Sequence, residues 1–412
     1  MKRIAVIFRR LGPYHFARLK AATSFFHVAA VEYAAGDTTY AWESIAGNAG
    51  FDRHIIVDNL PGSVREKQQA NKRLTKVLTE MAPTACVLPG WGMEESLFAL
   101  QWCVRHRVPA ILMSESTVHD ADRKWYYEWL KRKIVKQYSA ALVGGTPQAE
   151  YVKMLGMPGS RVFLGYDAVD NDYFKTQAAK VRLSANEHRS RLGLPCHYFL
   201  SSARFIEKKN LLRLLEAYSH YLKWALEKEN GSPLQAKYDP WHLVILGDGP
   251  LRPALESRTE QLQLKPYVHY PGFKQYHDLP FYYALADAFI LASTSEQWGL
   301  VVNEAMASGL PILVSNRCGC AYDLVRDGFN GFQFDPFKVD EISLIMIQIT
   351  RLSLEERNRM AANSVKIIAD WGPERFAQGL HQAYECAVRE PFNNNHFIDR
   401  FINSAIAYYQ AR

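Results

Sequence analysis

The chain has 412 residues, of which 48% are hydrophobic and 22% are charged, with 24 glycines and 19 prolines spread along it. This length exceeds one comfortable hydrophobic core, so two domains are expected, and the composition excludes a largely disordered chain. Lys and Arg outnumber Asp and Glu by 49 to 42, and this net charge of +7 argues against nucleic-acid binding while being compatible with anionic ligands or an anionic membrane surface.

The chain begins with MKRIAVIFRRLG, whose apolar run is too short for a signal peptide and predicts a first strand. No stretch approaches the roughly 18 uninterrupted apolar residues of a spanning helix. The six cysteines lack paired metal-type spacing, which favours reduced thiols. We therefore expect a cytoplasmic protein, with peripheral contact at the inner face of the membrane left open.

Short β-rich runs alternate with longer helix-like segments through the first half, the pattern of a parallel sheet. The predicted strands are RIAVIF, VAAVEY, HIIVDN, ACVLPG, PAILMS, AALVGG and RVFLGY. Between the third and fourth of these, SVREKQQANKRLTKVLTE predicts a helix with Ser63 and Glu66 as its capping box.

A second series of strands starts after the polar stretch 175–195. Its members are YFLSSA, HLVILG, VHYPGF, AFILAS, PILVS and GFQF. The sequence thus predicts an α/β chain with Rossmann-like domains at 1–180 and 190–370 and a helical segment at 371–412. Because open parallel sheets bind ligands beyond the carboxyl ends of their strands, we expect the site in a groove between the domains.

The segment AFILASTSEQWGLVVNEAMASGLPILVS predicts a buried strand, a polar loop, a helix opening at Gly299 and a second buried strand. The helix start would present the backbone N–H groups of Gly299, Leu300 and Val301 to a diphosphate. Glu296 and Glu304 flank it, and their carboxylates can accept hydrogen bonds from sugar and ribose hydroxyls, respectively. Two such glutamates alone are common on solvated helices, but this order of elements favours a ligand site.

This E-x7-E setting resembles glycosyltransferase family 4, the retaining glycosyltransferases of the GT-B fold. SSARFIEKKN resembles the family's strand-end Arg followed five residues later by Lys, here Arg204 and Lys209, with Asn210 in place of the usual Gly. The resemblance implies that this pair holds the pyrophosphate of a UDP- or GDP-type sugar donor, which two cations can neutralise without a metal. It also implies that the backbone of Phe273 meets the nucleotide base, and that no separate cofactor is needed.

The N-terminal half resembles the family more weakly. RRLGPYHFARL resembles the family's glycine loop after the first strand, so Gly12 is expected beside the donor phosphate or the acceptor. Many members carry a His at the tip of the strand that here reads PAILMSEST, where it touches the donor sugar. His119 is our candidate for that catalytic role, and Glu115 is the alternative.

Two acidic pairs, Asp120 with Asp122 and Asp170 with Asp172, look like metal-bridging D-x-D motifs, but the cation pair and helix dipole would make a metal redundant. Basic residues also cluster at 65–76 and at 131–136, the latter beside Trp125. These clusters are either solvated helix faces or contacts with anionic lipid or a lipid-linked acceptor.

The resemblance implies transfer of a sugar to a hydroxyl of a glycan or lipid-linked acceptor, in surface polysaccharide or glycolipid biosynthesis. It further implies that the last helical segment packs back on the N-terminal domain, and that the two domains face a cleft. Two alternatives stay open. The first is a catalytically silent GT-B chain that serves as a scaffold or binding subunit. The second is a nucleotide-sugar epimerase of similar architecture.

Overall fold

A computed structural model describes residues 2–36, 50–120, 123–227 and 239–389. The chain divides into two compact units at Asp170/Asn171 and again at Asp370/Trp371, so that the first unit takes both ends of the chain. Each unit is built on a parallel sheet with helices. No helix among these residues is both long enough and apolar enough to span a membrane.

The described part of the first unit contains a seven-stranded parallel sheet. Its strands are β1 Arg3–Phe8, β2 His27–Gly36, β3 Asp52–Asn59, β4 Ala85–Pro89, β5 Ala110–Ser114, β6 Ala140–Val143 and β7 Val162–Leu164. Its helices are α1 Pro13–Ala22, α2 Val64–Met81, α3 Glu94–His106, α4 Trp125–Val135, α5 Thr146–Met154 and, near the end of the chain, α15 Pro373–Arg389. The strand order β3-β2-β1-β4-β5-β6-β7 reverses direction between β1 and β4.

The second unit contains, within its described residues, a six-stranded parallel sheet in the order β10-β9-β8-β11-β12-β13. Its strands are β8 Tyr198–Ser202, β9 His242–Leu246, β10 Val268–Gly272, β11 Ala288–Leu291, β12 Ile312–Ser315 and β13 Gly331–Phe334. Its helices are α6 Asn171–Leu183, α7 Ala185–Leu192, α8 Leu211–Leu226, α9 Arg252–Gln261, α10 Leu279–Leu285, α11 Leu300–Ala307, α12 Ala321–Leu324, α13 Val339–Arg351 and α14 Leu354–Ile368. The strand order reverses between β8 and β11.

Every predicted strand segment is present. The central strands are short apolar runs that are buried on both faces, whereas β3, at the sheet edge, buries only Ile56. Helix α2 begins with the predicted capping box. The Glu66 amide donates to Ser63 Oγ at 3.2 Å, and the Ser63 amide donates to Glu66 Oε2 at 3.0 Å. The α/β prediction is confirmed in both halves of the chain.

The polar stretch 175–195 is a structured part of the second unit, where we had placed the division between domains. It forms most of α6 and all of α7. Arg182 donates to the carbonyls of Ala284 and Ser308, at 3.0 and 2.6 Å. The stretch is polar because its long basic side chains bond to the ends of neighbouring helices. The division between the two units lies earlier, after Asp170.

Helix α15 returns to the first unit, as the resemblance implied. It packs on α1, β6 and β7. Phe376 and Leu380 on its inner face are fully buried with the apolar side chains of α1 and β1. The remaining predicted segment, 390–412, lies outside the described residues.

Candidate active site

The topology of the second unit brings two predicted site loops to neighbouring strands. Ligands of open parallel sheets bind outside the carboxyl ends of the strands where the strand order reverses, here between β8 and β11. The loop after β8 carries Arg204 and Lys209, and the loop after β11 carries Glu296. Two loops that are far apart in sequence therefore bring Arg204, Lys209 and Glu296 to the edge where a ligand is expected.

Lys209 and Glu296 are in direct contact. Lys209 ends a short 3₁₀ turn, and its Nζ donates to Glu296 Oε2. Ser293 Oγ donates to the same oxygen at 3.3 Å. The lysine and glutamate side chains are only 12% and 14% exposed, so this ion pair is held in a partly desolvated position.

Backbone hydrogen bonds hold the two loops in register. The Thr294 amide, after β11, donates to the Lys208 carbonyl, after β8, at 2.9 Å. The Glu296 amide donates to the Arg317 carbonyl at 3.3 Å, and the Glu296 carbonyl accepts from the Gly319 amide at 2.9 Å. Both peptide groups that flank the Glu296 Cα are thereby hydrogen-bonded, which fixes the backbone from which its carboxylate projects.

Asn210 stands where the resembled family usually has Gly, and its geometry shows why an asparagine fits this position. Its φ of 59° lies in the left-handed region, which Asn tolerates better than most residues. Its Nδ2 donates to the Ala292 and Pro336 carbonyls at 3.0 and 2.8 Å, and its Oδ1 accepts from Arg213 at 2.6 Å. The asparagine thus supplies the required backbone conformation and ties the loop after β8 to the end of β11.

Arg204 lies exposed between β8 and the Lys209 turn. The next residue, Phe205, is fully buried, and its amide donates to the Asp248 carbonyl at 2.8 Å. Gly247 is required beside this segment, because a Cβ there would lie 1.9 Å from the Ala203 carbonyl oxygen at a φ of 124°. Gly247, which follows β9, therefore lets its backbone pack closely against the Ala203 backbone and so supports the loop that carries Arg204.

Gly299 is the N-cap residue of helix α11, at the predicted helix start, and its φ of 106° favours glycine. The Val302 amide donates to the Gly299 carbonyl at 2.8 Å, which leaves the amides of Leu300 and Val301 at the helix start. Trp298 is buried and its Nε1 donates to Asn303 at 2.9 Å. The geometry can present two N–H groups and a positive dipole end to an anion.

Glu304 lies on the inner side of α11 and is fully buried. The Tyr283 hydroxyl donates to its Oε2 at 2.6 Å. Burial, together with the neighbouring Glu304 charge, raises the pKa of Tyr283 well above its usual value, so this hydroxyl stays a donor. The ribose role of Glu304 stays a prediction. Phe273 follows β10 and is 41% exposed, and its role at the base also stays a prediction.

In the first unit, Gly12 lies in the loop after β1, where the strand order reverses. The Leu11 amide donates to the buried Glu32 at 3.0 Å, and Arg9 Nε donates to Glu95 at 2.8 Å. Gly12 has an ordinary extended φ of −119°, and its amide donates to His15 Nδ1 at 3.1 Å. The loop is firmly anchored, and the predicted ligand role of Gly12 stays a prediction.

His119 lies in an exposed turn after β5. Asp120 closes that turn, since its carboxylate accepts from the Thr117 amide at 2.8 Å and from the Thr117 hydroxyl at 2.7 Å. This capping accounts for one residue of the first D-x-D pair, and Asp122 lies outside the described residues. The described residues contain no group of three His, Cys, Asp or Glu side chains placed to hold a metal ion.

Residues 185–366 match the family model described as Glycosyl transferases group 1. This match lies within the second unit, which is therefore similar to that family. The α-monoglucosyldiacylglycerol synthase of Acholeplasma laidlawii is 29% identical over 199 residues, 48% of this chain and 46% of that protein. The α-D-kanosaminyltransferase of Streptomyces kanamyceticus is 28% identical over 245 residues, 59% and 58% of the two chains. The matched residues span about half the length of these relatives.

Solved structures extend the likeness in fold to most of the chain. HepE of Anabaena, in complex with UDP and glucose, superposes with a TM-score of 0.69 at 16% identity, covering 93% of this chain and 99% of that chain. Sucrose-phosphate synthase of Thermosynechococcus elongatus gives a TM-score of 0.71 at 15% identity, covering 93% and 98%. At such identities the likeness shows the fold, which is GT-B.

One group of polar side chains in the first unit was missed by sequence reasoning. Arg18 and Asp167 are both 1% exposed, with Arg18 Nη2 3.7 Å from Asp167 Oδ1. Burial raises the pKa of Asp167 well above its usual range, and the charge of Glu115 raises it further. Glu115, our alternative to His119, therefore lies beside a buried carboxyl at the carboxyl edge of β5 and β7. The sequence did not pair Arg18 with Asp167, because helix α1 and the segment after β7 meet only in the folded unit.

Proposed function

We propose that this protein is a glycosyltransferase that moves a sugar from a UDP- or GDP-type nucleotide-diphosphate sugar to a hydroxyl of a glycan or lipid-linked acceptor, with retention of anomeric configuration and without a metal. The observation that carries the proposal is the Lys209–Glu296 ion pair, held between two loops where the strand order of the second unit reverses. Sites of this topology bind nucleotides.

In the proposed reaction, the acceptor oxygen forms a bond to the anomeric carbon on the face from which the diphosphate leaves, while the bond from that carbon to the diphosphate breaks. The proton of the acceptor hydroxyl passes to an oxygen of the departing diphosphate. Negative charge develops on the departing diphosphate, and Arg204, Lys209 and the amides at the start of α11 stabilise it. When the diphosphate binds, its oxygens replace Glu296 as partners of Lys209. Glu296 is then available to accept hydrogen bonds from sugar hydroxyls, while its backbone bonds hold it in place.

The likeness to relatives supports the substrate classes. HepE was crystallised with UDP and glucose, which supports a nucleotide-diphosphate sugar donor of this class. The Acholeplasma laidlawii relative is a synthase of a glucosylated diacylglycerol, which favours lipid acceptors for the first trials.

The test is release of nucleoside diphosphate from a panel of UDP- and GDP-sugars, in the presence of diacylglycerol vesicles or soluble oligosaccharides and with or without EDTA. We expect one donor to be consumed only with an acceptor, equally in EDTA, giving a product whose anomeric configuration by NMR matches the donor. Consumption that requires a divalent metal, or a product of inverted configuration, would contradict the respective part of the proposal.

A second candidate is a silent GT-B chain that binds nucleotide but transfers nothing. It is favoured by the strand tip of β5, where Ser114 is 3% exposed and its Oγ accepts from the Ser116 amide at 3.2 Å, in the position where many family members carry a catalytic His. Tight binding of a nucleoside diphosphate without turnover of any donor in the panel would support this candidate.

A further inference from the structure

Helix α4 exposes two tryptophan side chains to solvent. Trp125 and Trp129 are 80% and 48% exposed, and they lie one turn apart on the same side of the helix. Arg132 and Lys136, which are also exposed, continue this stripe at positions seven and eleven residues after Trp125. The outer face therefore carries two indoles at its start and two cations at its end.

The opposite side of α4 is held by the protein. Ile134 and Val135 are buried in the core of the first unit. Glu128 Oε1 accepts from Arg123 at 3.0 Å and from Lys131 at 2.8 Å, and Arg123 also donates to the Tyr151 hydroxyl. Since this network fixes how the helix is rotated, the tryptophans point outward because of the fold and not because the helix is loose.

The charge of this segment is strongly one-sided. Residues 123–136 contain six basic residues and one acidic residue, Glu128, which is already paired. Lys133 Nζ lies 5.8 Å from the Trp129 ring centroid, so one of the cations is next to an indole. The core of a protein interface is usually depleted in lysine, whereas indoles beside lysine and arginine suit the headgroup zone of an anionic membrane.

We propose that α4 binds the surface of an anionic lipid bilayer, with Trp125 and Trp129 inserted among the headgroups and Arg132, Lys133 and Lys136 against lipid phosphates. The helix would lie on the membrane plane, since its inner side is part of the folded core. This inference goes beyond the proposed transfer reaction and does not depend on it.

The test is flotation of the full chain, without any donor, with phosphatidylcholine vesicles that contain or lack phosphatidylglycerol. We expect binding to the anionic vesicles that weakens at high salt, because lipid and protein charges are screened. The double variant W125A/W129A should bind them about tenfold more weakly or worse, since it loses the inserted apolar area. The matched control L183A/L344A removes two exposed apolar side chains of the second unit, 87% and 63% exposed, and should bind like the unchanged chain.

A second variant separates charge from insertion. R132Q/K133Q/K136Q should lose the preference for phosphatidylglycerol and the sensitivity to salt. All three variants should keep the thermal midpoint of the unchanged chain, because the altered side chains lie at the surface. Equal binding by W125A/W129A and its control would overturn the proposal, as would equal binding to both kinds of vesicle. A change from dimer to monomer in W125A/W129A, without lipid binding by the unchanged chain, would instead assign the face to a second copy.

Discussion

Replacing Lys209 by methionine removes one charge of the Lys209–Glu296 pair while keeping most of the side-chain volume. The Glu296 carboxylate, 14% exposed, would then keep only the 3.3 Å hydrogen bond from Ser293 among the partners described here. Leaving a mostly desolvated charge without its partner costs about 1–3 kcal/mol of unfolding free energy. On the proposed mechanism, losing one cation at the leaving group also lowers turnover by roughly 100- to 1000-fold.

The double variant K209M/E296Q separates these two effects. The neutral amide no longer needs a counter-ion, so urea unfolding should recover much of the stability lost in K209M. Turnover, measured as nucleoside diphosphate release, should stay low because neither functional group is restored. Lys208→Met is the matched control, since that side chain is exposed and only its backbone carbonyl bonds to Thr294. Turnover of K209M at the rate of the unchanged chain would refute the assigned role, and a double variant less stable than K209M would refute the ion-pair argument.

Three further predictions concern the support of the site. Asn210→Ala should lower stability by about 2–4 kcal/mol in urea, and Asn210→Gly by less, because glycine keeps the left-handed φ while both lose the side-chain bonds. Gly247→Ala should cost roughly 2–4 kcal/mol through its clash with the Ala203 carbonyl, whereas Gly193→Ala, with open space around it, should cost about 1 kcal/mol. Burial and the nearby Arg18 lower the pKa of His15 from 6.5 to about 3, so unfolding takes up a proton between these values. Stability should therefore be complete above pH 6.5 and fall as the pH drops towards 3, and His15→Gln should flatten this slope in urea midpoints measured against pH. A variant that keeps the slope would contradict the assignment to His15.

The central strands could be predicted from the sequence because each is a short apolar run, as expected for strands of a parallel sheet that are buried on both faces. The start of α11 was predictable for a local reason: Gly299 follows a polar loop and precedes an apolar run. The capping box of α2 is equally local, since Ser63 and Glu66 are three residues apart. Capping and glycine residues therefore predict where helices begin, and short apolar runs predict which segments form the sheets.

The contacts that build the site were not predictable in the same way. Lys209 and Glu296 are separated by 87 residues, and only the strand order places their loops side by side. Glu304 was predicted to bind a ribose, and the sequence did not predict that it is fully buried and accepts a hydrogen bond from Tyr283. The stretch 175–195 resembles a linker because it is polar. Its polar side chains instead bond to helix ends that are distant in sequence, as Arg182 does, and the sequence alone does not show these bonds.

Thermal unfolding in the presence of UDP, GDP, ADP or CMP, with and without EDTA, tests the central claim of a metal-free nucleotide-diphosphate site in the second unit. We predict that one nucleoside diphosphate raises the midpoint, by the equivalent of about 2.7 kcal/mol at a hundredfold excess over its Kd, that EDTA leaves the shift unchanged, and that Arg204→Ala abolishes it. A folded sample that shows no shift with any diphosphate, or a shift that EDTA removes, would contradict that claim.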